Sequence, residues 1–413
     1  MSQEIIQNLV QVLNQNQEQA PRPLALHLAI QTMTFTSSLS ALANLNAVSQ
    51  NWKAGDQPNQ AQLLKEISAT DPQLFAAAVQ AEVQGRVQQF AAGVSKLNDA
   101  TREKAQSPLA CVFEEGSTKL LHAPGDGPPV IMIPSLINRA YILDLGPKNS
   151  LVRSLAKSGL DVYLVDWDTP GGQEKSFCID DYIDRLERIR DIVTERAGQS
   201  PMLAGYCMGG LLALALVARA PDRIAKLALL ATPWDFSEMP RPGIQHLQNS
   251  MPWLRSLIDV TNVLPVDVLQ AMFAGIDPCA TARKFRQFSA MASDSATARA
   301  FVQLEDWLND GVPLSGPVAI ECLQDWYIDN VTGKGIWHTA GSVVDPKRFT
   351  LPAWVIVPEN DVIVPPDTAL PLGNLLPNAE VSQLSSGHIG MIAGGRAKRQ
   401  LYDPLAAWLL KAS

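Results

Sequence analysis

The sequence predicts an α/β fold, a mostly parallel sheet with helices on both faces, preceded by a helical N-terminal extension and interrupted by an inserted cap. Three observations predict it. Short apolar runs rich in Val, Ile and Leu alternate with helical patterns from about Pro128: Val130 to Ile133, Val162 to Val165, Met202 to Ala204, Leu227 to Leu230, Trp354 to Val357 and Val381 to Leu384. Between Pro233 and about Phe349 that strand rhythm stops, and Trp, Met, Phe and Pro recur among short helical patterns. Before residue 100 the apolar spacing is helical throughout. The expected parts are therefore an extension over 1–105, a core built from 106–234 and 350–413, and a cap or lid over 235–349.

In the extension, Ile5, Leu9 and Leu13 recur every four residues beside Ile6 and Val10, and Pro21 and Pro23 end that helix. A longer helix starts at Asp71 and Pro72, an N-cap and first-turn pair, and carries Phe75, Val79, Val83, Val87, Phe90, Val94 and Leu97 on one face. At 1.5 Å per residue it spans roughly 40 Å. Such a stripe packs on the protein's own core or docks to a partner or an apolar surface; the sequence leaves both open. In the insertion, Trp253, Met272, Phe273 and Trp307 suit either an apolar lid or a small helical core.

Composition narrows the classes. Of 413 residues, 46% are hydrophobic and 18% charged, so burial can outweigh chain entropy and the chain is globular. A net charge of −8 and a pI near 5.2 argue against nucleic acid and against a polybasic membrane patch. Five cysteines, Cys111, Cys178, Cys207, Cys279 and Cys322, form no C-x-x-C pair, which disfavours a disulfide framework and a structural zinc. The first twenty residues hold nine Asn or Gln and no basic segment, unlike a secretory signal. A cytoplasmic location is expected. The uncharged stretch from Ala197 to Ala218 is long enough to span a bilayer. Pro201 and the Gly205, Gly209, Gly210 cluster instead cut it into a strand, a turn and a helix, so no transmembrane segment is expected.

The strongest chemical signal sits in that stretch. Gly205-Tyr206-Cys207-Met208-Gly209 follows a strand and opens a helical run, Leu211 to Arg219: a G-x-S-x-G nucleophile elbow with Cys for Ser. Its sharp turn projects the nucleophile, and the helix behind it presents N–H groups to a developing oxyanion. A G-x-C-x-G by itself also fits a buried small hydrophobe. An elbow predicts an acid after a later strand and then a histidine, and both follow in that order. Asp361 follows the strand ending near Val357, and His388 follows the strand ending near Leu384. His27, His122, His246 and His338 do not fit that order. Glu359 competes with Asp361 for the acid, which lies deeper in its turn; Asp166 and Asp168 precede the nucleophile and are expected to anchor a loop or a cap. The backbone N–H of Met208, and one from Leu136 or Ile137 after the first core strand, are the expected oxyanion donors.

At these residues the chain resembles the polyhydroxyalkanoate synthases. The matching runs are Leu136 to Leu145, Asp161 to Trp167, Asp180 to Ile183, the Cys207 elbow, Ala231 to Phe236, Trp326 to Asn330 and the box around His388, together covering most of residues 105–413. The resemblance implies an α/β-hydrolase fold and a Cys-Asp-His triad at Cys207, Asp361 and His388 that polymerises 3-hydroxyacyl-CoA onto a growing polyester. It implies no bound cofactor, coenzyme A entering as the substrate thioester, and no metal. As partners it admits a homodimer or a second synthase subunit, and a polyester granule surface. The segment from Lys119 to Ile142 is closer to the synthases that need a second subunit, although those lack the helical extension seen here; the chain also lacks the Asn-Phe-containing stretch of the self-sufficient ones. A hydrolase on the same scaffold, a polyester depolymerase or acyl-CoA thioesterase, and a non-catalytic granule or partner subunit are the alternatives.

Overall fold

The computed structural model describes residues 20–43, 62, 65–67, 69–102 and 107–412. The helix expected around Ile5 to Leu13 lies outside them. The chain forms two compact units, one of 1–103 with 270–309 and the other of 104–269 with 310–413. The expected insertion, 235–349, therefore contributes to both.

The first unit is helical. Its main helices are Leu24–Ala43, Pro72–Asn98, Ala280–Ala290 and Ala296–Asn309. Asp71 caps the second as its sequence predicts, its carboxylate accepting the N–H groups of Gln73 (2.8 Å) and Leu74 (3.1 Å). Phe90, Val94 and Leu97 from the predicted stripe join Phe285, Phe288, Ala298 and Val302 in one buried cluster. The crossing is close because Gly93 has no side chain: a Cβ there would lie 2.2 Å from the Phe285 carbonyl oxygen. Lys96 donates to the carbonyl of Phe288 (3.0 Å) and to that of Met291, closing the carboxyl end of helix 280–290. The other half of the stripe is less covered, with Phe75, Val79 and Val83 only half-buried.

The second unit holds an eight-stranded sheet: β1 (Ala110–Glu115), β2 (Thr118–Ala123), β3 (Pro129–Ile133), β4 (Asp161–Asp166), β5 (Met202–Tyr206), β6 (Leu227–Leu230), β7 (Ala353–Pro358) and β8 (Ala379–Leu384). Their order across the sheet is β1-β2-β4-β3-β5-β6-β7-β8. β3 to β8 run parallel, whereas β1 and β2 form an antiparallel hairpin on the edge beside β4. The apolar-run reading finds β3 to β8 and overlooks the hairpin, because no residue of β1 is buried and it carries Glu114 and Glu115. Strands β3, β5, β6 and β7 are buried along their whole length, as expected of a sheet covered on both faces. Helices Ile179–Ala197 and Met208–Arg219 pack with it. The uncharged run from Ala197 to Ala218 is thus β5, a turn and most of a helix, and no described helix is long and apolar enough to cross a membrane.

Register sets the site. Ile133 pairs with Gly205, Tyr206 with Leu230, Leu230 with Ile356 and Pro358 with Leu384, so the carboxyl ends of β3, β5, β6, β7 and β8 lie along one edge of the sheet, β7 and β8 reaching two residues past β6. In an open parallel sheet this is the edge where loops converge on ligands. Between β6 and β7 the second unit adds helix Arg241–Thr261, a two-stranded ribbon pairing Leu264 with Leu314, and a helix from Gly316 that continues as a π-helical stretch, Glu321–Ile328. At the turn that leaves β5, a Cβ on Gly209 would sit 2.0 Å from the Ile133 carbonyl oxygen. Gly209→Ala is therefore expected to cost about 2 kcal/mol or more of stability, measured by denaturant unfolding, because the obstructing atoms are backbone.

Candidate active site

β5 ends at Tyr206, and Cys207 turns the chain with φ 56° and ψ −125°, in a region that residues with a side chain avoid at a cost of roughly 1–3 kcal/mol. The turn is held on both sides. The Cys207 N–H donates to the Leu230 carbonyl on β6 (2.8 Å), and the Gly210 N–H donates to the Cys207 carbonyl (3.0 Å) as helix Met208–Arg219 begins. Cys207 itself is half-buried. This is the elbow that the sequence pattern predicts.

Asp361 and His388 leave the ends of β7 and β8. Beyond the Pro358–Leu384 pair the two chains stay joined, Glu359 N–H to the Leu384 carbonyl (2.8 Å) and Asn360 N–H to the Ser386 carbonyl (3.0 Å). One carboxylate oxygen of Asp361 accepts the N–H groups of Ile363 (2.9 Å) and Val364 (2.8 Å), which fixes the side chain. The other lies 2.6 Å from His388 Nδ1. With Nδ1 engaged there, Nε2 is the nitrogen left for Cys207, whose sulfur acts on the imidazole. Of the two carboxylates the turn offers, Asp361 is buried against the histidine and Glu359 points to solvent. Burial disfavours the imidazolium, but the electrostatic pull of the Cys207 sulfur and the interactions with Asp361 and Cys207 outweigh it, and His388 is pushed up to about 10.

The loop after β3 lies against the elbow, since a Cβ on Gly209 would run into the carbonyls of both Ile133 and Pro134. The residues after β4 hold that loop in place. Trp167 donates its indole N–H to the Pro134 carbonyl (3.1 Å), Arg139 pairs with Asp168 and with Asp310 (3.2 Å), and Asp166 accepts the Asp168 N–H (3.2 Å). Asp166 and Asp168 thus act in loop anchoring. Of the two donors expected in this loop, the Ile137 N–H is given to the Ser135 hydroxyl at 3.0 Å. Leu136 is buried beside it. The remaining histidines lie elsewhere: His27 in the helical unit, His122 on Asp161 (2.7 Å), and His246 and His338 exposed.

Three neighbours of the triad receive no role from sequence. Tyr206, Cys322 and Tyr327 are each pushed upward, first by burial and then by charges that include that of Cys207. Cys322 and Tyr327 lie on the π-helical stretch, a geometry often found at functional sites. The run Trp326 to Asn330 was the available signal. Its Asn330 donates to Asp235 (2.8 Å) and accepts the Phe236 N–H (2.9 Å), while the Trp234 and Asp235 N–H groups donate to the Thr368 carbonyl (2.8 and 2.9 Å). These bonds tie the exit of β6 to the π-helical stretch and to the segment following Asp361.

A family model described as the alpha/beta hydrolase fold matches residues 128–394, which include every strand from β3 to β8 and all three residues of the constellation. The chain belongs to the alpha/beta hydrolase fold family. Within that family it is similar to proteins named poly(3-hydroxyalkanoate) polymerase subunit PhaC. The Haloferax mediterranei protein is 30% identical over 75% of this chain and 65% of its own length. Those of Synechocystis sp. and Allochromatium vinosum are each 28% identical, over 78% and 76% of this chain and 90% and 91% of their own. The chain thus spans about two thirds of the Haloferax relative and nearly all of the other two.

The charge balance at His388 is open to measurement. Its folded value lies above the ordinary 6.5, so imidazolium stabilises the fold; that contribution is complete below about pH 6.5 and is lost as pH rises towards about 10. Removing the sulfur in Cys207→Ala should lower the His388 titration midpoint, read by NMR of the ring nitrogens, and should flatten the fall in melting temperature between pH 7 and pH 10. An unchanged midpoint would show that the cysteine charge is not the cause.

Proposed function

We propose that this chain is a cysteine-dependent acyltransferase that polymerises 3-hydroxyacyl-CoA into polyhydroxyalkanoate with release of CoA. The observation that carries the reading is a cysteine, in place of the usual serine, on a strained elbow, facing a histidine held by a buried aspartate, in a chain similar over three quarters of its length to polymerase subunits.

In this reading the proton of Cys207 is carried by His388, so that the sulfur attacks the thioester carbonyl of the substrate as a thiolate. The negative charge that develops on the carbonyl oxygen meets the N–H of Met208 at the helix start and that of Leu136, the loop donor left once Ile137 is bonded to Ser135. Collapse of the tetrahedral species expels CoA, protonated from His388, and leaves the acyl group on sulfur. The 3-hydroxyl of the next acyl unit or chain end then attacks that thioester, gives its proton to His388 and forms the ester while the cysteine is released. A thioester exchanged for a thioester loses little energy, so the acyl group stays reactive toward an alcohol. A serine would trap it as an oxygen ester.

Water competes with the alcohol and has to be kept out. We assign that task to parts of the 235–349 segment, which include the π-helical stretch beside the triad, and a docking role at a partner or granule to the half-covered helical stripe of residues 72–98. A second copy or second subunit and a cytoplasmic, granule-associated location complete the reading.

With 3-hydroxybutyryl-CoA, purified protein should release CoA and deposit insoluble polyester. Cys207→Ala should lower the rate by roughly a thousandfold or more and Asp361→Asn by a comparable order, with folding intact by circular dichroism. Free 3-hydroxybutyrate without polymer would make the protein a hydrolase, and substantial polymer from Cys207→Ala would overturn the assignment.

A further inference from the structure

Tyr206 is the last residue of β5 and the residue before Cys207. Its phenol donates to the backbone carbonyl of His388 at 3.2 Å, and its ring stacks on the imidazole with centroids 5.1 Å apart and planes at 30°. Tyr206 is 4% exposed and His388 8%, so neither contact is shared with bulk solvent. One side chain therefore joins the strand that carries the cysteine to the loop that carries the histidine, 182 residues later.

A phenylalanine would fill the same volume, and the hydroxyl is the part that requires a partner. Burial, followed by the charges of Cys207 and Asp361, pushes the phenol well above its ordinary value, which keeps it a proton donor across the working pH range. The stacked ring also offers its π face to an imidazolium.

We propose that Tyr206 is a positioning residue: its hydroxyl fixes the backbone at His388 and its ring fixes the imidazole, so that Nδ1 meets Asp361 while Nε2 meets the Cys207 sulfur. This rests on Cys207 and His388 being nucleophile and base. The imidazole projects from a loop, so a small shift of its backbone swings Nε2 away from sulfur, and a misplacement of about 1 Å at such a contact can cost up to a hundredfold in rate.

The test uses the full chain and reads thiol reactivity instead of polymer. Alkylation of Cys207 by iodoacetamide is followed from pH 5 to pH 10 by mass spectrometry of its own peptide, because Cys111 and Cys279 are also exposed. Tyr206→Phe, folded by circular dichroism, is expected to react about tenfold more slowly at pH 7, with its profile moved to higher pH. Replacing Tyr206 by 4-aminophenylalanine, which keeps a donor in place, should restore the profile. In a His388→Ala background, Tyr206→Phe should have no further effect. Wild-type reactivity in Tyr206→Phe, failure of the aminophenylalanine to restore it, or an equal loss without His388 would overturn the positioning role alone. A His388→Ala protein with wild-type reactivity would overturn the reading beneath it.

Discussion

The backbone at Cys207 is held in a left-handed conformation that its side chain disfavours, and the surrounding structure is arranged to keep it there. β6 supplies the carbonyl that binds the Cys207 N–H, the helix starting at Met208 continues the turn, and the loop after β3 presses on Gly209. Trp167 and the Arg139–Asp168 pair hold that loop from β4. A strain of a few kcal/mol survives only because four adjacent strands oppose its relaxation. The parallel register then sets Asp361 and His388 at the same level.

The electrostatics depend on the same burial. In a buried setting charges are weakly screened, and the pull of the Cys207 sulfur and of Asp361 on His388 outweighs the desolvation of its imidazole. Tyr206, Cys322 and Tyr327 stay neutral because burial, followed by nearby negative groups that include Cys207, opposes their ionisation. Three neighbours of Cys207 and His388 are thus held in their neutral forms.

The helical unit obeys a different constraint. Phe285 and Phe288 cover Phe90, Val94 and Leu97, and the backbone contact at Gly93 fixes where helices 72–98 and 280–290 cross. Toward the start of the long helix, Leu74 is 70% exposed and Phe75, Val79 and Val83 are half-buried. A stripe written continuously in the sequence is thus covered along only part of its length. Its second half packs on the protein's own core, while its first half keeps apolar residues partly exposed.

The sequence by itself determined the strands β3 to β8, the cap at Asp71, the elbow at Cys207 and the order Cys207, Asp361, His388, because each is written in local patterns: apolar runs, capping chemistry, and glycines at fixed spacing. It did not reveal the β1–β2 hairpin, whose outer strand holds no buried residue, is charged and has no apolar run to mark it. Only the tertiary structure shows that Asp361, and not Glu359, is buried against His388, and which part of the stripe is covered. Both turn on which group is buried, and burial is created by residues far away in the chain. The same holds for residues 270–309, which read as part of one insertion yet pack with the N-terminal helices because Phe285 and Phe288 have their apolar partners there. Tyr206 is the clearest case, an unremarked residue of the elbow whose significance is a contact with a loop that closes the fold from its far end.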